Sequence, residues 1–152
     1  MKYLVIKGWL GFGDRLESLK MGIKYALDND LAVYVDWTDT MWSHSGESFY
    51  TYFKLINIKT FSLSEIPSDA TYYPEYWKTH IHDPIHPEII KDRSLDLGVL
   101  NKQYPADVIV LSNVGRRLFY PDSTFFSNVF RVIDSRVLDK IKDRLARIPF
   151  FL

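Results

Sequence analysis

The chain has 152 residues, a length typical of one domain, and its 19 basic and 19 acidic side chains give a formal net charge of zero. Because the chain has no cysteine, disulfides, thiol nucleophiles and cysteine-based zinc sites are excluded. Zero net charge argues against a general attraction to nucleic acid or to an anionic membrane. With 47% hydrophobic and 25% charged residues, the composition is that of an ordinary globular protein.

The beginning of the chain shows no targeting signal, since its apolar run from Tyr3 to Ile6 is ended by Lys7. A signal peptide needs a longer apolar region, and a membrane-spanning helix needs about 20 residues. We therefore expect a cytoplasmic protein without a membrane span. Residues 113–152 carry a net charge of +4, which suits a phosphate contact but not a track for nucleic acid.

The first third of the chain predicts a strand, a glycine turn, a helix and a second strand. Residues 2–7 are rich in Val, Ile and Tyr and end at a glycine, as expected for a short buried strand. Asp14 is expected to cap the helix, with Glu17 completing a capping-box pattern. Residues 31–37 form the second buried strand. This order predicts a βαβ unit with parallel strands and a right-handed crossover.

The middle of the chain is rich in aromatic residues and prolines. Residues 47–56 predict a short aromatic helix, and residues 61–66 predict a strand. Five prolines between residues 67 and 105 predict turns and irregular structure. Residues 107–111 are a further buried strand. Together these elements predict an α/β fold: a single Rossmann-like domain over residues 1–152, with a mainly parallel sheet and helices on both faces.

The last quarter predicts a helix at 123–129, an extended segment at 130–133 and an amphipathic helix that Asp134 caps and Pro149 stops. The chain then ends at residues 150–152, which are Phe-Phe-Leu. Because chain ends are usually exposed and frayed, we interpret these apolar residues as the start of an interrupted strand. An apolar surface exposed there would favour self-association.

The strongest candidate for a site is the glycine turn between the first strand and the helix, Gly8-Trp9-Leu10-Gly11-Phe12-Gly13. Glycines let the backbone approach a ligand closely, and the free N–H groups at a helix start favour anions. Ligands of open α/β sheets bind at the carboxyl ends of the strands, where this turn lies. A tight turn without a ligand is the alternative.

A dinucleotide site is the obvious rival, since Asp36 ends the second strand where a ribose-binding acid belongs. The fingerprint Gly-x-Gly-x-x-Gly fails, however, because Leu16 stands where the third glycine is required. Asp14 would also place a negative charge beside the pyrophosphate. A stand-alone nucleotide- or dinucleotide-binding domain therefore stays an alternative function, and a non-catalytic remnant or interaction module is another.

The segment Gly11-Phe12-Gly13-Asp14-Arg15-Leu16, with a strand ending in Val35-Asp36-Trp37 after the helix, resembles the N-terminal half of the GT-B-fold fucosyltransferases. The nodulation-type enzymes and the protein O-fucosyltransferases are the most similar members. The resemblance implies an acceptor-side domain of an enzyme that transfers a sugar from a nucleotide-sugar donor, GDP-fucose, to a glycan or another hydroxyl acceptor. It implies no metal or other cofactor. The residues that it implies for donor or acceptor binding are Gly11, Phe12, Gly13, Asp14, Arg15, Asp36 and Trp37.

The second domain of that family binds the donor through a His-x-Arg motif, whose arginine contacts the GDP phosphates. No histidine of this chain has an arginine two positions later; the residues found there are Gly46, His82, Pro84 and Glu88. The resemblance therefore implies that the C-terminal donor-binding domain is absent from this chain. We expect the chain to be inactive alone.

Two further groups of polar residues are candidate sites. Arg116 and Arg117 follow the strand at 107–111, where either guanidinium could contact a phosphate, although surface arginines are common. The stretch from His80 to His86 gathers three of the four histidines with an aspartate. Its spacing matches no metal motif, so we expect a solvated loop and no metal there. The four tryptophans could stack on sugar rings, but core packing is the simpler expectation.

Overall fold

A computed structural model of the chain describes residues 1–8, 12–38, 48–85, 103–112 and 132–135. Its described elements are strands (β), α-helices (α) and short 3₁₀ helices (η). In chain order they are β1 (Tyr3–Lys7), α1 (Phe12–Asn29), β2 (Ala32–Asp36), α2 (Phe49–Tyr52), β3 (Phe53–Leu55), η1 (Leu63–Glu65), β4 (Tyr72–Tyr73), η2 (Glu75–Lys78), β5 (Val108–Leu111) and β6 (Ile133–Ser135).

Four of these strands form one sheet in the order β2–β1–β5–β4, and every pair in it is parallel. Tyr3 of β1 lies opposite Ala32 of β2 on one side and Val108 of β5 on the other. The predicted βαβ unit and the predicted strands at 2–7, 31–37 and 107–111 are therefore confirmed. A separate antiparallel pair joins β3 to β6.

Both faces of the sheet are buried, as expected for a parallel sheet whose side chains alternate between its faces. Under α1 lie the strand residues Leu4, Ile6, Val33, Val35, Ile109 and Leu111. Against the segment 61–85 lie Tyr3, Val5, Ala32, Val108 and Val110. The predicted α/β class with helices on both faces is confirmed, and in the described residues the second face is covered by η1, η2 and their loops.

Helix α1 approaches the sheet closely at Gly22. A β-carbon at that position would lie 2.6 Å from Cγ1 of Ile6 and 3.2 Å from Cδ2 of Leu111, so any larger residue would push the helix away. The glycine that permits close helix–sheet packing is thus found here, whereas position 16 carries a leucine that packs against the core.

The outer edge of β2 is covered by side chains and backbone from the middle of the chain. The Val33 N–H donates to the Lys59 carbonyl at 2.9 Å, and the Val35 N–H donates to the Tyr50 hydroxyl at 3.2 Å. Burial raises the pKa of that hydroxyl to about 12. The two backbone N–H groups of β2 that face away from β1 therefore both have a hydrogen-bond acceptor.

The predicted helix at 47–56 is shorter than expected. Among residues 48–56, which the structure describes, only Phe49–Tyr52 is helical, because Phe53 is extended and pairs with Ser135 of β6. The rings of Phe49 and Phe53 stack at 5.4 Å and pack edge-on against Trp37. Aromatic packing and strand pairing therefore override a helical pattern that the sequence carries over ten residues.

The predicted strand at 61–66 is wrong. Thr60 makes a single bridge to Val33, and the chain then turns into η1. The Ser62 N–H donates to the Glu65 carboxylate at 2.8 Å, and such local bonds compete with sheet pairing. The predicted cap at Asp134 is also wrong, because this residue lies inside β6.

Helix α1 begins at Phe12, two residues before Asp14. Asp14 therefore lies in the first turn and does not precede the helix as a cap. The predicted helix at 123–129, the predicted helix at 134–148 beyond Ser135 and the apolar chain end lie outside the described residues, as do Arg116 and Arg117. None of the helices described is long and apolar enough to span a bilayer.

Candidate functional site at the carboxyl ends of the strands

The strands β1, β2 and β5 end side by side, and the residues there form one polar edge. Lys7 lies opposite Asp36, and Ile6 lies opposite Leu111. Ser112, which follows β5, is completely buried. In open parallel sheets this carboxyl edge is where ligands bind, so it is the candidate site.

The buried pair of this edge is Lys7 and Asp36, whose side chains lie on the sheet face opposite α1. The Lys7 ammonium donates to Oδ2 of Asp36 at 3.0 Å, to the Ile81 carbonyl at 2.7 Å and to the Asp83 carbonyl at 2.8 Å. Lys7 is only 1% exposed. An ammonium has three N–H donors, so these bonds use all of them.

Burial lowers the pKa of Lys7, while the charge and the hydrogen bond of Asp36 act in the opposite direction. The ammonium also lies 4.7 Å from the centre of the Trp77 ring, at a distance where a cation is attracted to the ring face. Trp77 is completely buried, and among the described residues its indole N–H has no hydrogen-bond acceptor. Lys7 thus fastens the segment around Trp77 and Asp83 to the end of β1.

Asp36 connects this pair to the turn after β2. Its Oδ1 accepts from the Thr38 N–H at 3.0 Å and also from the Thr38 hydroxyl. The Thr38 carbonyl in turn accepts from the Ile85 N–H at 3.4 Å. Asp36 is 7% exposed and both of its oxygens are engaged within the protein. The structure therefore shows a residue that builds the edge, and its predicted part in ligand binding stays a prediction.

Arg15 and Trp37 meet on the opposite face of the sheet, below the first turns of α1. Nη1 of Arg15 donates to the Trp37 carbonyl at 2.8 Å, and the guanidinium lies 5.8 Å from the centre of the Trp37 ring. Both residues are buried, at 8% and 6% exposure. Phe49 and Phe53 hold the indole from the other side. Arg15 thus ties the beginning of α1 to the end of β2.

Gly8 leaves the space that the Trp37 indole occupies. A β-carbon on Gly8 would lie 2.6 Å from Cδ1 and 2.7 Å from Nε1 of Trp37. The Gly8 N–H donates to the Asp36 carbonyl at 2.9 Å, which carries the pairing of β1 and β2 one residue past Lys7. The first glycine of the turn is therefore required by packing.

The rest of the glycine turn is described only in part. The backbone of Phe12, Gly13 and Asp14 forms the first turn of α1, where free N–H groups favour a negative charge. Residue 11 lies outside the described part. The structure thus brings Arg15, Asp36 and Trp37 to the same edge as the beginning of α1, and the binding roles of all seven residues stay predictions.

Sequence reasoning missed Lys7 and the segment that it holds, because it interpreted Lys7 only as the residue that ends an apolar run. The available signal was a pair of opposite charges at the aligned ends of two parallel strands, Lys7 and Asp36. That same segment contains His80, whose Nδ1 lies 2.6 Å from Oδ2 of Asp83. The described residues contain no group of three potential metal ligands.

No protein-family model and no curated protein matches the sequence. Among solved structures, the fucosyltransferase NodZ from Bradyrhizobium is similar, with a TM-score of 0.67 and 17% identity. Structures of the NodZ alpha-1,6-fucosyltransferase soaked with GDP-fucose and co-crystallised with GDP give TM-scores of 0.64 and 0.67, at 18% and 17% identity. Each match covers 96% of this chain and 55% of the NodZ chain.

The resemblance to GT-B fucosyltransferases noted from the glycine turn is thereby confirmed at the level of the fold. The chain spans about half the length of the solved structures that it matches. It has the Rossmann-like fold of one part of a fucosyltransferase.

Proposed function

We propose that the chain is the acceptor-side domain of a fucosyltransferase-like glycosyltransferase, which transfers a sugar from GDP-fucose to a glycan hydroxyl. The observation that carries the proposal is the fold match over 96% of this chain to a protein that was soaked with GDP-fucose. In such a transfer an acceptor oxygen bonds to the anomeric carbon of the sugar, whose bond to the phosphate breaks. The acceptor proton is released and the nucleoside diphosphate leaves.

The carboxyl edge supports this proposal because hydrogen bonds hold its described charged side chains in place on both faces of the sheet. Lys7 with Asp36 fixes one face of the edge, and Arg15 with Trp37 fixes the other. The first turn of α1 lies between the ends of β1 and β2, with N–H groups that suit an anionic part of the donor. A carboxylate at position 14 suits sugar hydroxyls, so we assign Asp14 to the sugar and not to the phosphates.

The donor site of this proposal is shared with a second domain, because the chain has no His-x-Arg sequence. We therefore expect weak GDP-fucose binding by this chain and no fucosyl transfer. The test has two parts: amide shifts in a ¹⁵N-labelled sample during titration with GDP-fucose, GDP and NAD, and a transfer assay with radiolabelled GDP-fucose and a panel of glycans. Shifts at the beginning of α1 with GDP-fucose, but not with NAD, are expected.

Binding of NAD in place of GDP-fucose would overturn the proposal in favour of a dinucleotide-binding domain. Absence of any nucleotide binding at millimolar concentration would favour the non-catalytic alternative. Fucosyl transfer by the chain alone would contradict the need for a second domain.

Asp14→Ala tests the residue that we assign to the sugar. Because Asp14 lies in the first turn of α1, its removal should reduce stability by only about 0.3–1 kcal/mol, the usual effect of a charge at a helix end. GDP-fucose binding should weaken about tenfold, as expected for loss of a charged hydrogen bond. Asp28→Ala, in the last turns of the same helix, is the matched control and should leave binding unchanged. Equal effects of the two variants would return Asp14 to a structural role.

A further inference from the structure

The segment from Pro74 to Ile85 crosses the sheet beside its carboxyl edge. It follows the end of β4, passes the Lys7 ammonium at the carbonyls of Ile81 and Asp83, and reaches Thr38 after β2 through the Ile85 N–H. Its inner side is anchored by Trp77, which is completely buried. Any group that this segment presents outward is therefore held in a fixed position relative to the edge.

The outer side of this segment carries an open depression of about 490 Å³, lined by Glu75, Tyr76, Lys78, Thr79 and His80. The rings of Tyr76 and His80 lie face to face, with centroids 4.2 Å apart and planes 8° from parallel. Tyr76 also packs edge-on against Trp77 at 5.2 Å. The depression thus combines a rigid aromatic pair with several polar side chains.

His80 is the group of this depression with a defined orientation. Its Nδ1 lies 2.6 Å from the Asp83 carboxylate, and a carboxylate at this nitrogen favours the tautomer that carries the proton there. The other nitrogen, Nε2, is then a hydrogen-bond acceptor and has no partner among the described residues. Because Asp83 is itself fastened by Lys7 through its carbonyl, the orientation of His80 depends on the buried pair.

We propose that this depression, the His80 depression, binds one neutral sugar ring of the acceptor, with Nε2 of His80 accepting a hydrogen bond from a sugar hydroxyl. The inference rests on the proposed function, since it identifies where on the acceptor-side domain the acceptor lies. His80 is a binding residue in this proposal, and Asp83 is the positioning residue that sets its tautomer.

The chemistry of the lining favours a neutral sugar over a nucleotide. The lining brings one carboxylate, from Glu75, and one ammonium, from Lys78, and it contains no arginine. A diphosphate is recognised by arginines, lysines or free backbone N–H groups, and a lining whose single ammonium is balanced by a carboxylate does not favour it. A sugar presents hydroxyls that donate to Nε2 and to carboxylate oxygens, and its C–H face packs on aromatic rings. The depression is large enough to receive one sugar ring.

The experiment follows the imidazole nitrogens of the full chain by long-range ¹H–¹⁵N NMR during titration with chitobiose and cellobiose to tens of millimolar. We expect His80 to appear as the tautomer protonated at Nδ1, and its Nε2 signal to shift on addition of one of these sugars. His80→Ala should weaken that binding about five- to tenfold, as expected for loss of one hydrogen bond and a ring contact. His82→Ala removes the neighbouring exposed histidine and should leave binding unchanged.

Asp83→Asn separates positioning from folding. It preserves the shape of the side chain and the carbonyl that accepts from Lys7, so the chain should stay folded. The His80 nitrogens should then report a mixture of tautomers, together with weaker sugar binding. Unchanged tautomer and affinity in this variant would overturn the role of Asp83.

The outcomes distinguish this inference from the proposed function. If GDP-fucose shifts the beginning of α1 but no sugar shifts the His80 signals, the His80 depression is not a sugar site and the proposed function stands. If a sugar shifts the His80 signals but GDP-fucose and GDP bind nowhere, the sugar site stands and the fucosyltransferase proposal fails. Sugar-dependent shifts confined to other residues would also overturn the assignment of the His80 depression as the sugar site.

Discussion

Lys7 places an ammonium inside the molecule, and its hydrogen bonds explain why a side chain of this kind is tolerated there. A buried ammonium loses its hydration, which must be replaced by partners of comparable strength. Here one carboxylate and two backbone carbonyls replace it. The same bonds join β1 to the segment that carries His80, so the effect of this one residue extends to the proposed sugar site.

Lys7→Met should reduce the free energy of unfolding by about 3–5 kcal/mol, because Asp36 would be left as a buried charge without its partner. Adding Asp36→Asn removes that charge while an amide oxygen still accepts from Thr38. We therefore expect the double variant to be more stable than Lys7→Met alone. Urea denaturation of the three variants and the parent chain measures the coupling. If the stability losses of Lys7→Met and Asp36→Asn were strictly additive in the double variant, the two side chains would not interact as a buried pair.

At the scale of elements, the packing of α1 on the sheet depends on one small residue. Gly22→Ala should gain up to about 1 kcal/mol in helix propensity. It should lose about 1–3 kcal/mol through overpacking against Ile6 and Leu111, so a net loss of stability is expected. Ile6→Val removes the methyl group closest to Gly22. The double variant should therefore lose less stability than the sum of the losses in the two single variants. Thermal unfolding provides the comparison, and a stabilised Gly22→Ala would show that the helix has room to move.

The strands that sequence analysis predicted correctly are those whose residues are buried on both faces of the sheet. β1, β2 and β5 are largely apolar runs, which is the pattern expected of strands in a sheet with two buried faces. In contrast, β4 and β6 have two and three residues, and their existence depends on β5 and β3, which are distant in the chain. Short segments of this kind carry no periodicity. Their position follows from tertiary pairing alone.

The candidate site shows the same division. The glycine turn was predicted because the carboxyl ends of parallel strands are a general ligand position, and Asp36 and Trp37 were predicted from the resemblance to the fucosyltransferases. Lys7 and His80 were not, because their role depends on the segment from Pro74 to Ile85, whose prolines indicated only irregular structure. An irregular segment has no repeating pattern from which its contacts can be inferred.

At the scale of the whole molecule, tyrosine burial makes stability depend on alkaline pH. The pKa of Tyr50 is raised from 10.0 to about 12, mainly by burial. Between these values the unfolded chain loses the phenol proton and the native state retains it, so stability falls as pH rises. Burial also raises the pKa of Tyr25, Tyr34 and Tyr72, in the same direction. The pKa of Lys7 is lowered from 10.5, so just below that pH the unfolded chain holds the Lys7 proton more firmly than the native state does. Lys7 therefore makes stability rise with pH in that range, opposite to the tyrosines.

Tyr50→Phe should therefore lose less stability between pH 9 and pH 11 than the parent chain, by about 1 kcal/mol. At neutral pH the same variant should be less stable by about 1–3 kcal/mol, because the Val35 N–H loses its acceptor. Urea denaturation at the two pH values measures both effects. Parallel stability curves for variant and parent would show that Tyr50 ionises equally well in the folded state.

The covered edge of β2 also limits how two copies of this chain can associate. An open strand edge is a template on which another chain can add a strand, which leads to aggregation. Here that template is closed by the Lys59 carbonyl and the Tyr50 hydroxyl, which take up the two outward donors. Growth of the sheet beyond β2 would first require these two groups to leave. A chain that meets the domain at this edge would therefore contact side chains there, because the outward N–H groups of β2 are already bonded.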